Sequence, residues 1–211
     1  MNGYSVRQIP SKQTHEWLLR KHYAHRIPSI SYAFGLYDEA NILQGVCTLG
    51  MIANYVEMKA WEPFSILELN RLVVNDNHVG NTLSYFVGKS IKLLPSPTVL
   101  ISYADMGKGH QGYIYQATNW LYTGVGGEGC KIYILKNGYE QHQRHGEDID
   151  TEMIDHIELT TGKNRYFYFH ANKRDKKKML AMLRFTILPY PKGDNKRYDA
   201  SYEPPTQGVL I

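Results

Sequence analysis

The chain has 211 residues, 24 Lys and Arg against 20 Asp and Glu, and a formal net charge of +4. With 43% hydrophobic and 21% charged residues it is expected to fold as one globular domain over residues 1–211, which excludes a disordered or fibrous chain. Cys47 and Cys130 share no motif, and no apolar run is long enough to span a bilayer, which excludes a disulfide scaffold and a transmembrane helix. The opening residues MNGYSVRQIPSKQ lack the apolar core of a signal peptide, so a reducing cytoplasm is the expected setting.

Residues 4–9 alternate as a first strand. Ser11 caps a helix expected through Tyr23, with Trp17, Leu18 and His22 on one face. Two apolar runs, 32–37 and 45–52, flank Asp38-Glu39-Ala40-Asn41 and read as a hairpin. A strand over 66–74 leads into the loop 75–81, then a helix over 82–94 that Pro95 ends. A strand at 98–103, a helix at 113–122 and a strand at 131–136 follow. Farther on come the turn Asn137-Gly138, a polar and His-rich stretch at 141–150, and an aromatic strand at 166–170. A basic helix at 174–184 turns Met179, Leu180, Met182 and Leu183 inward, and an irregular, proline-containing tail begins at Leu188.

Two compositional signals point outward. Tyrosine is abundant, with 17 against 6 Phe and 3 Trp, and Tyr offers both a stacking face and a hydroxyl to a nucleobase as well as to a core. Charge is also uneven: residues 163–197 hold eleven basic and two acidic side chains, +9, which leaves −5 for the rest. Such a basic region, with Lys176 and Lys177 in its densest run, is the footprint of a polyanion binder or a solvated helix face.

The most informative stretch is ISYADMGKGHQGYIYQATNWLYTG, residues 101–124. A buried strand ends on Ala104-Asp105, a loop with Gly107, Gly109, His110 and Gly112 follows, and a polar-aromatic segment with Tyr115, Asn119 and Trp120 comes next. An acid at the C-terminal end of a strand, before a flexible loop, is where α/β proteins place chemistry. Ala104-Asp105, Gly109-His110, Gly112 and Ile114 to Trp120, with Glu68 to Val74 and His22-Tyr23 followed by Ile30 to Leu36, resemble the phage Mom family. That resemblance covers residues 15–135 most closely. It implies an enzyme that converts adenine in double-stranded phage DNA to N6-carbamoylmethyladenine and shields that DNA from restriction.

The resemblance also implies the Gcn5-related N-acetyltransferase (GNAT) fold, an α/β domain with a mixed central sheet. The expected order of strand, helix, hairpin, strand, helix, strand, helix, strand agrees with it. In that fold the loop before the second helix holds the donor's pyrophosphate on backbone N–H groups. Here Val74 opens that loop, and Asn77-His78-Val79-Gly80-Asn81-Thr82 replaces the usual Arg/Gln-x-x-Gly-x-Gly/Ala. Gly80, Asn81 and Ser84 are the donor-side candidates, a plain helix cap by Asn81 or Thr82 being the alternative. The expected donor is an acyl-CoA such as acetyl-CoA, or a glycyl carrier that brings the extra nitrogen.

Adenine N6 is a poor nucleophile, and the base must leave the duplex to react. Asp105 is the candidate base, or else a cap on the loop that follows it. In GNAT folds the helix that holds Tyr115 lies beside the donor thiol, so the resemblance implies that Tyr115 returns a proton to the leaving group, with core packing as its alternative. Arg71 requires an anion, supplied by Glu68, Asp105 or a substrate. His110 is a further acid-base candidate. His22, Tyr32 and Asn119, the last one helical turn beyond Tyr115, are expected on the acceptor side. His22, His25 and either His110 or Asp105 would offer mixed donors suited to iron, although their spacing is no recognised chelating motif. Two other classes fit the same residues: an N-acetyltransferase for a small-molecule or protein amine, and a non-catalytic nucleic-acid-binding accessory protein.

Overall fold

The computed structural model describes residues 3–127, 129–142 and 149–193. The 38–41 turn follows from its side chains. Asn41 takes the left-handed conformation at φ 61°, and Asp38 accepts from the Ile42 amide and the Gln44 side chain. That turn joins β2 (Tyr32–Tyr37) to β3 (Leu43–Gly50) as the expected antiparallel hairpin. β1 (Ser5–Gln8) pairs with the outer edge of β2, and β4 (Ser65–Val74) pairs antiparallel with β3. A short helix α1 (Tyr55–Ala60), capped by Asn54, precedes β4, and α2 (Thr82–Lys92) follows it. β5 (Thr98–Asp105), α3 (Tyr113–Ala117) and β6 (Leu121–Gly126) complete the expected order.

The chain then departs from its simple reading. The strand expected at 131–136 is β7 (Lys131–Leu135), which lies in a separate three-stranded sheet with β8 (Glu140–His142) and β9 (Ile154–Leu159). The aromatic strand read at 166–170 is longer, β10 (Lys163–His170), and it inserts between β5 and β6. The main sheet is seven-stranded, ordered β1-β2-β3-β4-β5-β10-β6, and only β4 and β5 run parallel. This is the α/β, GNAT-type fold with a mixed sheet, carrying the small sheet as an excursion between β6 and β10.

Strand alternation divides the core between the two faces. Leu100 and Ala104 of β5, with Tyr166 of β10, pack beneath Phe86, Val87 and Ile91 of α2. Val99 and Ile101, with Phe167 and Phe169, pack on the other face with Trp61 and with Met179 of α4 (Lys173–Met182). Trp17 and Leu18 cover Ala33, Tyr37, Val46 and Val73. The helix expected over 11–23 is instead a 3₁₀ turn, Ser11–Thr14, running into a π-helical segment, Trp17–Lys21. Burying Trp17, Leu18 and Lys21 together is met by the wider π turn rather than a regular α repeat. Past α4, Leu188 N donates to the Tyr122 carbonyl and Tyr190 to the Trp120 carbonyl, which docks the start of the tail against β6. Lys196, Arg197 and the rest of the tail lie outside the described residues, as does most of the 141–150 stretch.

Gly50 is a position of close approach. A Cβ there would run into the Ser29 carbonyl, which Asn70 Nδ2 also holds at 2.8 Å. Gly50→Ala is therefore expected to lower stability by about 1–3 kcal/mol, seen as a lower denaturation midpoint at unchanged slope.

Candidate active-site cleft

β4 and β5 are paired through only four residue pairs, Ser65↔Thr98 to Glu68↔Ile101. β4 continues to Val74 and β5 to Asp105, so the two strands part. A backbone carbonyl left in such a fork needs a donor. Ser102 Oγ supplies it, 2.7 Å from the Leu69 carbonyl. The fork opens into a cavity of about 400 Å³, lined from β4 by Glu68 to Val74 and from β5 by Tyr103 and Ala104. His22 and Tyr23 enter it after the π segment, from one face of the sheet. Tyr115 enters on α3, from the other.

Tyr115 lies 2.7 Å from the same Ser102 hydroxyl. A carbonyl can only accept, so the single Ser102 proton goes to Leu69 and the phenol proton is left to bridge the two hydroxyls. Burial pushes the Tyr115 pKa well above its ordinary value, and Ser102 only partly offsets this. The group is a neutral phenol, a proton donor. Trp120 and Tyr166 fix its ring, each with its centroid at 5.1 Å.

A β-bulge aims Arg71. Thr48 pairs with Arg71 and Leu49 with Leu69, so Asn70 is the extra residue. Asn70 is anchored by Thr48 Oγ1 at 2.6 Å and by the Ser29 carbonyl. Its own carbonyl accepts Arg71 Nη1 at 2.6 Å. Arg71 Nε is buried without a hydrogen-bond partner; burial lowers the Arg71 pKa, and the negative charge of Glu68 partly offsets this. A buried guanidinium edge facing a cavity is a site for an anionic or strongly polar oxygen.

His22 is buried and its Nδ1 accepts the Ala24 amide at 3.0 Å. Burial, then the charge of Arg71 and the rings and cations beyond it, lowers its pKa to about 3. The ring of Tyr23 lies 4.3 Å from it, tilted by 32°, and meets His110 edge-on at 5.6 Å. Burial also lowers the His110 pKa, and the negative charge of Asp105 partly restores it. Asp105 itself does not line the cavity. Its carboxylate accepts the Gly107 amide at 3.0 Å and stands 4.0 Å from Lys163, and its carbonyl accepts the His110 amide. The capping alternative describes its contacts, and its charge acts on the cavity through His110 and Tyr23.

Other expected site residues lie elsewhere. α3 ends at Ala117, and Asn119 is an exposed turn residue at φ 60°, so it shares no helical face with Tyr115. Tyr32 packs against the core and does not line the cavity. Ser84 turns back to donate to the Asn81 carbonyl at 2.9 Å, away from the cleft. Lys176 and Lys177 are exposed on α4, outside the cavity. His25 Nδ1 is engaged by the Leu19 carbonyl, and among the described residues no three His, Cys, Asp or Glu side chains converge as metal ligands. The residues proposed to hold iron therefore do not fit it. Tyr23, Tyr103 and Lys163, which line the cavity, were missed by sequence reasoning. Strand alternation was the available signal for Tyr103, since Ser102 faces the other way.

On the donor side Val74 and Leu83 line the end of the cavity beside α2. Asn81, at φ 65°, makes no side-chain cap, and Thr82 Oγ1 bonds Val79, so the helix-cap alternative is not realised. Gly80 has no left-handed backbone and open space where a Cβ would stand, so its smallness answers to no neighbouring protein atom. An uncapped helix start beside open space fits an anionic donor group.

The fold and cleft define an α/β protein of the GNAT type with a half-open cleft of mixed polar and apolar lining between its parted central strands. The Mom protein family model matches residues 3–192, and the chain belongs to that family. The methylcarbamoylase Mom of Escherichia phage Mu is 25% identical over 212 aligned residues, covering 90% of this chain and 86% of that protein. Among solved structures, a mutant spermidine N-acetyltransferase from Vibrio cholerae is similar at TM-score 0.47 and 9% identity, covering 81% of this chain and 95% of that one. The same enzyme in complex with CoA and spermine aligns at TM-score 0.46 and 8% identity, covering 81% of this chain and 97% of that one.

Burial of His22 makes a measurable prediction. Its pKa falls from 6.5 to about 3 on folding, so the unfolded chain takes up a proton that the folded chain refuses. Stability should fall as pH drops below 6.5 and keep falling toward about 3. His22→Gln should flatten this dependence by up to about 1.4 kcal/mol per pH unit, measured by denaturant titration across that window. His110, shifted in the same direction, contributes equally to both proteins.

Proposed function

We propose that this protein transfers a carbamoylmethyl group to N6 of adenine in double-stranded phage DNA, and so protects that DNA from restriction. The observation that carries the reading is a coincidence: the family match over residues 3–192 contains every element that walls the cavity. A relative bearing the name methylcarbamoylase supports the same group. A cavity of about 400 Å³ suits one extruded base with the reactive end of a donor.

The residues take the following roles. His110, a half-buried imidazole on the cavity wall, accepts the N6 proton as the new bond forms. Asp105, joined to it through the loop backbone, favours the imidazolium that results and is a positioning residue rather than the base. Tyr115 gives its proton to the leaving group, and Ser102 keeps the phenol aimed. Arg71 Nε binds a polar oxygen of the donor or of the transferred group. The start of α2 with Gly80 holds the donor's anionic portion. Direct transfer requires a donor that already carries the amide nitrogen and whose CH2–leaving-group bond breaks as the N6–C bond forms. An acyl-CoA such as acetyl-CoA would leave N6-acetyladenine, and a glycyl carrier would leave N6-glycyladenine, an isomer that reaches the carbamoylmethyl product only by rearrangement. The exposed cations of α4, Lys176 and Lys177 among them, contact phosphates of the DNA outside the cavity.

Nucleoside mass spectrometry of plasmid DNA from expressing cells is the primary test. A carbamoylmethyl increment on deoxyadenosine is expected. Acetylated amines with unchanged DNA would establish the amine-acetyltransferase alternative, and DNA binding with neither product the accessory-protein alternative. Tyr115→Phe keeps the ring packing and should lower modification by about 100-fold or more. Near-normal modification by that variant would remove Tyr115 as the acid. Replacing Lys176, Lys177 and Lys178 with Ala should reduce the slope of log K against log salt by about 0.9 per lost phosphate contact. An unchanged slope would make α4 a solvated face only.

A further inference from the structure

His22 presents a hydrogen-bond donor whose direction the backbone decides. Because Nδ1 accepts the Ala24 amide, its lone pair is in use and the ring proton resides on Nε2. Among the described residues no hydrogen-bond partner of Nε2 is seen, and the ring lines the cavity. The ring has little freedom to turn. The His22 amide closes the π turn on the Trp17 carbonyl at 3.0 Å, and Lys21 beside it is tied to Asp76 at 3.5 Å. Tyr23 covers one side of the ring. Burial first, then Arg71, His110, His25 and Arg26, disfavours a second proton, so the imidazole remains neutral with its one proton on Nε2.

A fixed N–H at the wall of a base-sized cavity distinguishes bases by what they place opposite it. Adenine carries a lone pair at N1 beside its amino group. Guanine carries N1–H there, and two donors facing each other in a desolvated site repel. We propose that His22 Nε2–H donates to N1 of the extruded adenine and thereby selects adenine over guanine. The inference rests on the adenine reading above and adds the residue that enforces it. The bond also places N6, the neighbour of N1, at a repeatable position in the cavity.

The test is an equilibrium one that needs no donor. Duplexes carry adenine, 1-deazaadenine, 7-deazaadenine or guanine opposite an abasic site, which lowers the cost of extrusion. Binding is followed by fluorescence anisotropy with the full chain, wild type and His22→Phe, at a salt concentration that suppresses phosphate-only binding. Wild type should lose about 5- to 10-fold for 1-deazaadenine and at least as much for guanine, with 7-deazaadenine close to adenine. His22→Phe should bind adenine and 1-deazaadenine equally. That equality separates a contact to N1 from any other effect of removing the nitrogen, which would persist in the variant. If the Phe variant does not fold, His22→Leu takes its place in the same comparison. Wild type that binds adenine and 1-deazaadenine alike overturns the proposal, as does a 1-deaza loss that survives in the variant or a loss confined to 7-deazaadenine. Modified adenine in plasmid DNA without any N1 dependence would overturn the His22 role alone. Unmodified plasmid together with no base preference would overturn the adenine reading and this role with it.

Discussion

The parting of β4 and β5 after four paired residues is the constraint on which the rest depends. A continuous parallel pair would bury its backbone groups in the ladder and leave no cleft. Here the two strands separate inside the sheet, where an unsatisfied carbonyl is costly. The Ser102 hydroxyl meets the Leu69 carbonyl at the fork and reaches Tyr115 at once. One small side chain therefore stabilises the opening and orients the phenol that looks into it. Behind β5, the long pairing with β10 from Thr98 to Asp105 holds the strand straight while its other edge is released.

What surrounds the fork is a set of polar groups kept in defined protonation states by their burial. Tyr115 keeps its proton, while His22 and His110 resist gaining one. Arg71 is the cation of the cavity wall with a buried, unpartnered nitrogen, and it sits there because the bulge at Asn70 re-aims the strand. A wall of this kind is preorganised: its rings and its guanidinium are held in place before any ligand arrives. Asp105 stays outside, tied to the 106–108 turn, and its charge reaches the cavity mainly through His110.

Much of this architecture could be read from residue order, and the failures have identifiable physical causes. The hairpin was legible because Asp38 and Asn41 form a turn by local hydrogen bonds. The strand ending at Asp105 and the glycine loop were legible from the change from an apolar run to Gly107, Gly109 and Gly112. Asn119 was misplaced because periodicity continues through Trp120, whereas the backbone reverses at a left-handed residue once α3 has ended. The π segment was invisible because its spacing comes from packing Trp17, Leu18 and Lys21 against different neighbours. Ser84 was credited with a ligand that its own helix turn replaces. The small sheet read as a last main-sheet strand because β7 is apolar enough for either place, and only the insertion of β10 beside β5 assigns it.

By itself the sequence determined those features that neighbouring residues decide: turn positions, strand alternation, the stop at Pro95, and the motifs around Asp105, Tyr115 and Arg71 that carry the family. Tertiary structure alone decided the fork, the bulge at Asn70 and the withdrawal of Asp105 from the cavity wall. Each of these depends on contacts between residues far apart in the chain, such as Asn70 with Ser29, Leu69 with Ser102, and Asp105 with Lys163. No local propensity encodes those distances, because they exist only after the sheet has closed around them.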